Sequence, residues 1–319
     1  MSNNNTMSPS KVNLKKKNKI QDTLGDRVLE WITTIILLIL LIVVAYPVIF
    51  VVSASFSSGS ALTSGRVLLW PVEPTISAYK VVFGMKDILL GYKNTIFYTT
   101  VGTVMQMFMQ IICAYPISRP NFQGRSVYTK IIVITMLVSA GLIPMYLVRQ
   151  SLGLINNIWA ILTSGLLGAS NVFILRTSFK NSIPGELFDA AAIDGANDFQ
   201  SLVQIALPLA KATISVITLY SIVAHWNNYF TAMIYLPNRE DLWPLQLFLR
   251  NLLISTSNLG AAAGPDGGGS TTSSGGAVAE ATEQLRYALI VVSTLPVLVA
   301  YAVVQKYFKG GVMVGSVKG

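Results

Sequence analysis

Charge is scarce in this sequence. Asp, Glu, Lys and Arg make up 12% of its 319 residues, roughly half the share of an average soluble domain. Hydrophobic residues reach 52% and mean hydropathy is +0.57. A chain so poor in charge cannot clothe a soluble surface of its size, and is expected to be an integral membrane protein. Cysteine is nearly absent as well. Cys113, alone inside an apolar run, excludes an intrachain disulfide and reads as a small hydrophobe. The one histidine, His225, has no Cys or second His at metal-ligand spacing, which argues against a metal site. No acid or nucleophile accompanies it, so it reads as a structural or interfacial residue. The phosphate-cradling Gly-x-x-x-x-Gly-Lys-[Ser/Thr] loop is missing, so the chain should not hydrolyse ATP itself. No Asp, Glu or Arg lies inside the apolar runs to mark a proton or ion pathway. Nor is there a buried catalytic pair for intramembrane proteolysis or acyl transfer, so the chain is not expected to be an enzyme.

The net charge of +9 raises the question of nucleic acid. Five of the lysines, however, fall between Lys11 and Lys19, in an Asn- and Ser-rich tail directly ahead of an apolar run. Such clusters flank membranes on the cytoplasmic side and set orientation. No aromatic-interleaved basic patch accompanies them, which leaves nucleic acid out of the expected partners.

In order along the chain, residues 1–26 form a basic tail, and residues 27–307 carry six apolar segments. The first, Trp31 to Ser53, is longer than the core of a signal peptide and spans about 30 Å of hydrocarbon, so despite Val52-Ser-Ala54 at its end it reads as uncleaved. The others run Thr95–Ile117, Ile131–Val148 (interrupted by Gly141 and Pro144), Ile158–Leu175, Leu209–Trp226 and Tyr287–Val304. The fourth contains small residues from Ser164 to Ser170 that let helices approach closely. The expected fold class is therefore all-α, with six transmembrane helices and both termini cytoplasmic. That topology places most of the Lys and Arg inside. Between the fifth and sixth segments, Asp241–Leu253 looks amphipathic, with Asp241 as cap and Pro244 in the first turn. It is followed by a flexible outer loop at 254–283, low in complexity from Gly260 to Gly276.

The stretch Pro184-Gly-Glu-Leu-Phe-Asp-Ala-Ala-Ala-Ile-Asp-Gly-Ala-Asn-Asp-Phe199, followed by Ile205-Ala-Leu-Pro208, is a polar island between apolar runs. Pro184 suits the first helical position. Glu186 and Asp189 favour the early turns through the helix dipole, and Gly195 is a natural terminator. Leu187, Ala190, Ala191 and Asp194 share one side at helical spacing. A short, smooth helix of this kind can sit closely in another protein's groove, although an ordinary surface helix fits the composition too.

The wording Glu-Leu-x-x-Ala-Ala-x-Ile-Asp-Gly-Ala followed by Leu-Pro resembles the coupling loop of permease subunits in binding-protein-dependent ABC importers. It looks most like the sugar-importing, maltose-type branch. The family usually has Glu where this chain has Asp189, one methylene shorter with the same charge. Two further stretches carry the resemblance: Trp226-Asn-Asn-Tyr229, where family members read Trp-Asn-Asp/Glu-Phe, and Gln305-Lys-Tyr-Phe-Lys-Gly-Gly-Val-Met-Val-Gly-Ser-Val-Lys-Gly319 at the C terminus. Read on its own, that last tail, at 308–319, is glycine-punctuated, cationic and of little helical propensity.

The resemblance implies a type I ABC importer permease fold in the cell membrane, and the transport of an oligosaccharide or related sugar. Implied partners are a homologous second permease, two ATP-binding subunits and an extracellular solute-binding protein. No cofactor would be bound by this chain; ATP and Mg would be used by the partner ATPase. Coupling to that ATPase falls on the 182–208 loop, through Glu186, Leu187, Asp189, Ala190, Ala191, Asp194, Gly195 and Pro208. A tail contact falls on Gly311, Gly315 and Lys318. Candidates for the substrate path are the neutral polar residues Asn171, Tyr220, Trp226, Asn227, Asn228 and Tyr229, whose amides and rings suit hydroxyl-rich sugars. The same residues fit an aromatic belt at the membrane surface. A permease for a non-sugar solute, an ATP-independent secondary transporter and a membrane enzyme are the other readings.

Overall fold

The apolar runs become helices, and among the described residues no strand interrupts them. In this computed structural model the description covers residues 24–262 and 273–315, with side chains over 24–255 and 280–305. The chain forms two compact units, Met1–Ile49 and Phe50–Gly319. In the first, helix α1 (Leu24–Ser55) exposes more than half of every large apolar residue from Ile35 to Val44. A helix that is apolar all round has no face suited to water, and hydrocarbon is its natural solvent.

The second unit is organised around α2 (Lys86–Ser118), against which α5 (Ala169–Asn181), α7 (Lys211–Trp226) and α8 (Leu245–Ala262) pack. Helix α9 (Ser273–Gly315) packs along α7. One apolar cluster gathers at the C-terminal end of α2 around Tyr115, Leu175, Phe179, Ile183 and Ile217. Cys113 packs against it as a small hydrophobe. A second gathers at the N-terminal end around Ile88, Trp226, Leu245, Leu249 and Leu289. His225 fills the space above Gly102, where an added Cβ would come within 2.8 Å of its ring. Its Nε2 lies 3.1 Å from Gln106 Oε1, while Gln106 Nε2 donates to the Gly165 carbonyl at 3.0 Å. The amide thus presents an acceptor to the histidine, and the ring is a structural bridge.

Pro296, inside α9, cannot donate to the carbonyl of Val292. The hydroxyl of Tyr92 on α2 supplies that donor, and the indole N–H of Trp226 on α7 donates to the adjacent Ser293 carbonyl at 3.0 Å. Tyr92 thus replaces the donor that the proline withdraws, as buried backbone in a membrane requires, and Trp226 ties α7 to the same turn.

Among the described residues three helices are long and apolar enough to cross a membrane, or up to five spans if each bent pair is one. Within the apolar segments the structure departs from the sequence reading at several points. The third segment divides as expected at Gly141, into α3 (Arg125–Leu137) and α4 (Leu142–Ser151), bent by 117°. The fourth, Ile158–Leu175, is not a continuous helix. Only a turn at Trp159–Leu162 forms before the chain breaks at Gly165, with φ +75°, and re-enters helix at Ala169. Asp241 does not cap α8. Its carboxylate accepts from Nε and Nη2 of Arg239, each at 2.8 Å, and the first amide of α8, Leu245 N–H, donates instead to Thr95 Oγ1 on α2 at 2.8 Å. The C-terminal stretch expected to be non-helical continues α9 through Gly315, since extending an existing helix is far easier than starting one. Of the low-complexity stretch, 260–262 and 273–276 are helical; 263–272 lies outside the described residues.

Candidate functional site

The polar island forms a short helix with two defined ends, as its residues suggest. Ile183, 4% exposed, anchors the incoming chain in the first apolar cluster. Pro184 stands just before the helix, at φ −56° and ψ 140°, one position earlier than expected. Helix α6 (Gly185–Ile193) then runs to Asp194 and to Gly195 at φ +80°. Gly195 N–H donates to the Ala192 carbonyl at 3.1 Å, and Ala196 N–H to the Ala191 carbonyl at 2.9 Å. This is a complete Schellman ending, and only glycine enters it without strain. Directly afterwards Asn197 and Gln200 form a reciprocal capping box, with bonds of 2.8 and 2.9 Å, and start the next turn. Pro208 lies in the short helix Leu207–Leu209. The preceding Leu202–Ala206 is widened to a π turn, and the chain bends 81° into α7. A proline withdraws one amide from the ladder, and a widened turn just upstream accommodates it.

The two sides of α6 differ. Phe188 faces the body of the protein, with the Arg119 guanidinium 3.6 Å above its ring. Arg119 also donates to the Phe179 carbonyl at 3.2 Å, which ties α6 to the ends of both α2 and α5. The sequence reading missed this clamp. Its signal in the sequence is Phe188, the single aromatic in the stretch 185–193. Gly185, Phe188, Asp189 and Ala192, at i, i+3, i+4 and i+7, line a cavity of about 720 Å3 shared with Tyr115, Asp198 and Phe199. Asp189 thus borders this cavity, although it, Gly185 and Ala192 remain exposed. Ala191, three residues from Phe188, is partly covered, while Glu186, Leu187, Ala190, Ile193 and Asp194 are exposed. Ile193 is 87% exposed and Leu187 44%.

The substrate-path candidates are scattered. Asn171 lies near Gln110 beside Gly168. Tyr220 is 63% exposed, and Asn227 is exposed. Trp226 is 5% exposed with its N–H committed to Ser293, so in this conformation it braces α7 against α9. Asn228 Oδ1 accepts from Thr231 N–H at 3.1 Å and starts the turn Phe230–Tyr235. Tyr229 borders a second cavity, of about 400 Å3, with Gln246, Arg250 and Ser293 on its polar side. Gln246 and Arg250 were not singled out in the sequence because α8 reads there simply as amphipathic. Of the tail residues, Gly311 and Gly315 are in α9, and Lys318 lies outside the described residues.

No protein-family model matches this chain. The polygalacturonan/rhamnogalacturonan transport system permease protein YtcP of Bacillus subtilis (strain 168) is 36% identical over 283 residues, 89% of this chain and 96% of its own. Protein LplC of the same organism is 35% identical over 274 residues, 86% and 89% of the two chains. Among solved structures, a bacterial ABC transporter involved in the import of the acidic polysaccharide alginate superimposes with a TM-score of 0.76. It is 36% identical and matched over 90% of this chain and 98% of its own. Identity above one third, sustained over nearly the whole of each relative, shows that this membrane protein belongs to the permeases of sugar ABC transport systems.

Proposed function

We propose that this chain is one of two paired permease subunits of an ATP-driven importer for an acidic, uronate-containing oligosaccharide. Two relatives at 36% identity support the substrate class. One is named for polygalacturonan and rhamnogalacturonan, the other for alginate, and polygalacturonan and alginate both carry a carboxylate on each sugar ring. The chain crosses the membrane six times in this reading, with both ends cytoplasmic, and the bent pairs serve as broken spans. A second permease completes the path, two ATPase subunits sit on the cytoplasmic side, and an extracellular binding protein delivers the sugar.

The observation that carries the coupling role is α6. It is gripped from within by Phe188 on Arg119, ended sharply at Gly195, and presents Leu187 and Ile193 to the outside. Closure of the ATPase dimer on ATP would move this helix, and the clamp would pass the movement to α2 and α5. The energy must come from the partners, because inverting a two-state equilibrium takes several kcal/mol of preference between states. The C-terminal Gly311, Gly315 and Lys318 are proposed as a second contact with the ATPase.

The test is uptake of a labelled uronate oligosaccharide by proteoliposomes containing the assembled transporter and its binding protein. Uptake that requires ATP inside the vesicle supports the reading. Uptake driven by an ion gradient without ATP would refute it.

A further inference from the structure

We propose that the cavity bordered by Tyr229, Gln246 and Arg250 is a carboxylate-binding subsite for one uronate ring of the transported oligosaccharide; this rests on the acidic-saccharide reading above. The cavity measures about 400 Å3, within the roughly 300–1,000 Å3 typical of small-ligand sites. Its floor is apolar, formed by Leu249 and Leu289, and its polar groups are drawn from three elements. Tyr229 follows the end of α7, Gln246 and Arg250 lie one helical turn apart on α8, and Ser293 lies on α9.

Arg250 is partly buried, with its guanidinium 5.6 Å from the centre of the Tyr229 ring. Among the described residues no carboxylate pairs with it. The ion pairs among the described residues are Arg66–Glu73, Arg239–Asp241 and Arg286–Glu283, and no carboxylate lines the cavity. Asp241, the acid nearest in sequence, is held by Nε and Nη2 of Arg239. The Gln246 side-chain amide, one turn away, likewise has no hydrogen-bond partner among the described residues. A partly buried guanidinium with no counter-ion among the described residues thus borders the cavity, free to receive an anionic ligand.

Guanidinium matches carboxylate through two parallel N–H···O bonds, a geometry that a neutral hydroxyl cannot satisfy. The Gln246 amide can exchange hydrogen bonds with ring hydroxyls, and the apolar floor suits the C–H face of a pyranose. Trp226, by tying the end of α7 to Ser293 on α9, holds Tyr229 at the rim. It is a positioning residue for this subsite.

The experiment titrates trigalacturonate, and separately its neutral methyl ester, into the detergent-solubilised complex assembled without binding protein. It then measures ATP-driven uptake of both by the complete transporter. We expect wild type to bind the acid more tightly than the ester, and Arg250→Gln to weaken acid binding about ten-fold or more with little change for the ester. Arg250→Lys, which keeps charge but loses the fork, should fall between. Gln246→Leu, which leaves Arg250 in place, should weaken both ligands similarly, and it serves if Arg250→Gln fails to assemble. Several results would overturn the subsite. These are no binding by wild type, unchanged binding in Arg250→Gln, or equal losses for acid and ester, the last meaning that Arg250 serves the fold or a lipid headgroup. Unchanged binding alongside ATP-driven uptake of trigalacturonate defeats the subsite alone. Wild-type uptake of neutral oligosaccharides but not of trigalacturonate defeats the acidic-saccharide reading and the subsite with it.

Discussion

Ile193→Ala should separate docking of the ATPase from folding of the permease. Ile193 is 87% exposed at the last position of α6, so nearly all of its apolar surface is free for a partner and almost none supports this chain. Fully burying such a side chain contributes about 1.5–3 kcal/mol, and truncation should remove about 2 kcal/mol of that at the interface. At about 1.4 kcal/mol per decade, ATPase association should weaken about thirty-fold. Stability of the permease should change by less than about 0.5 kcal/mol, as for other surface substitutions. The assay titrates purified ATPase subunit onto the permease pair in detergent, with thermal unfolding of the permease followed in parallel. Wild-type affinity for the ATPase would refute the assignment of the outer face of α6 as the docking surface. A large loss of permease stability would refute the claim that Ile193 makes no internal contribution. Leu187→Ala is the instructive contrast: Leu187 is only 44% exposed, so its loss should be divided between docking and folding.

Further outcomes follow from the same geometry. Gly195→Val places a β-branched residue at φ +80°, which costs more than the about 1–2 kcal/mol of an ordinary residue. It should fray the end of α6, seen as faster amide exchange at Gly195 and Ala196, and uncouple ATPase stimulation from uptake. Tyr92→Phe removes the donor to the Val292 carbonyl beside Pro296 and should destabilise the fold by about 1–3 kcal/mol in thermal unfolding, more than Phe97→Leu on the exposed side of the same helix. On the segment between α1 and α2, the Ser58 hydroxyl, and after it Arg66, hold the Glu73 carboxyl below its ordinary value of 4.5. A depressed folded value means the stabilisation is present above 4.5 and is lost as pH falls through the folded value. Amides around Ser58 and Ser60 should therefore exchange faster on acidification below that point, and Glu73→Gln should abolish the pH dependence.

The helix at 185–193 was legible in advance because its signals are local. A proline at its start, an acid in its first turn and a glycine after it act through the backbone within a few residues; the structure realises the acid and the glycine and sets Pro184 one position earlier, just before the helix. The break at Gly141 was legible for the same reason. Ile158–Leu175 was misjudged because hydropathy counts apolar residues without asking whether the backbone is continuous. Gly165 takes a left-handed conformation there, and Gln106 on α2 satisfies the carbonyl it frees. Asp241 was misjudged as a cap because it was assessed only against its sequence neighbours. Thr95, 150 residues away, holds the amide in question.

The sequence by itself determined the solvent of this protein, its helical class and the ends of the helix at 185–193. All of these follow from composition or from contacts a few residues long. The tertiary structure decided which face of α6 is gripped and which is offered, through Phe188 against Arg119. It also decided how a proline in α9 is tolerated, through Tyr92, and that Tyr229, Gln246 and Arg250 border one cavity. Each of these joins residues from separate helices whose approach is set by packing, and no pattern within a single segment can encode it.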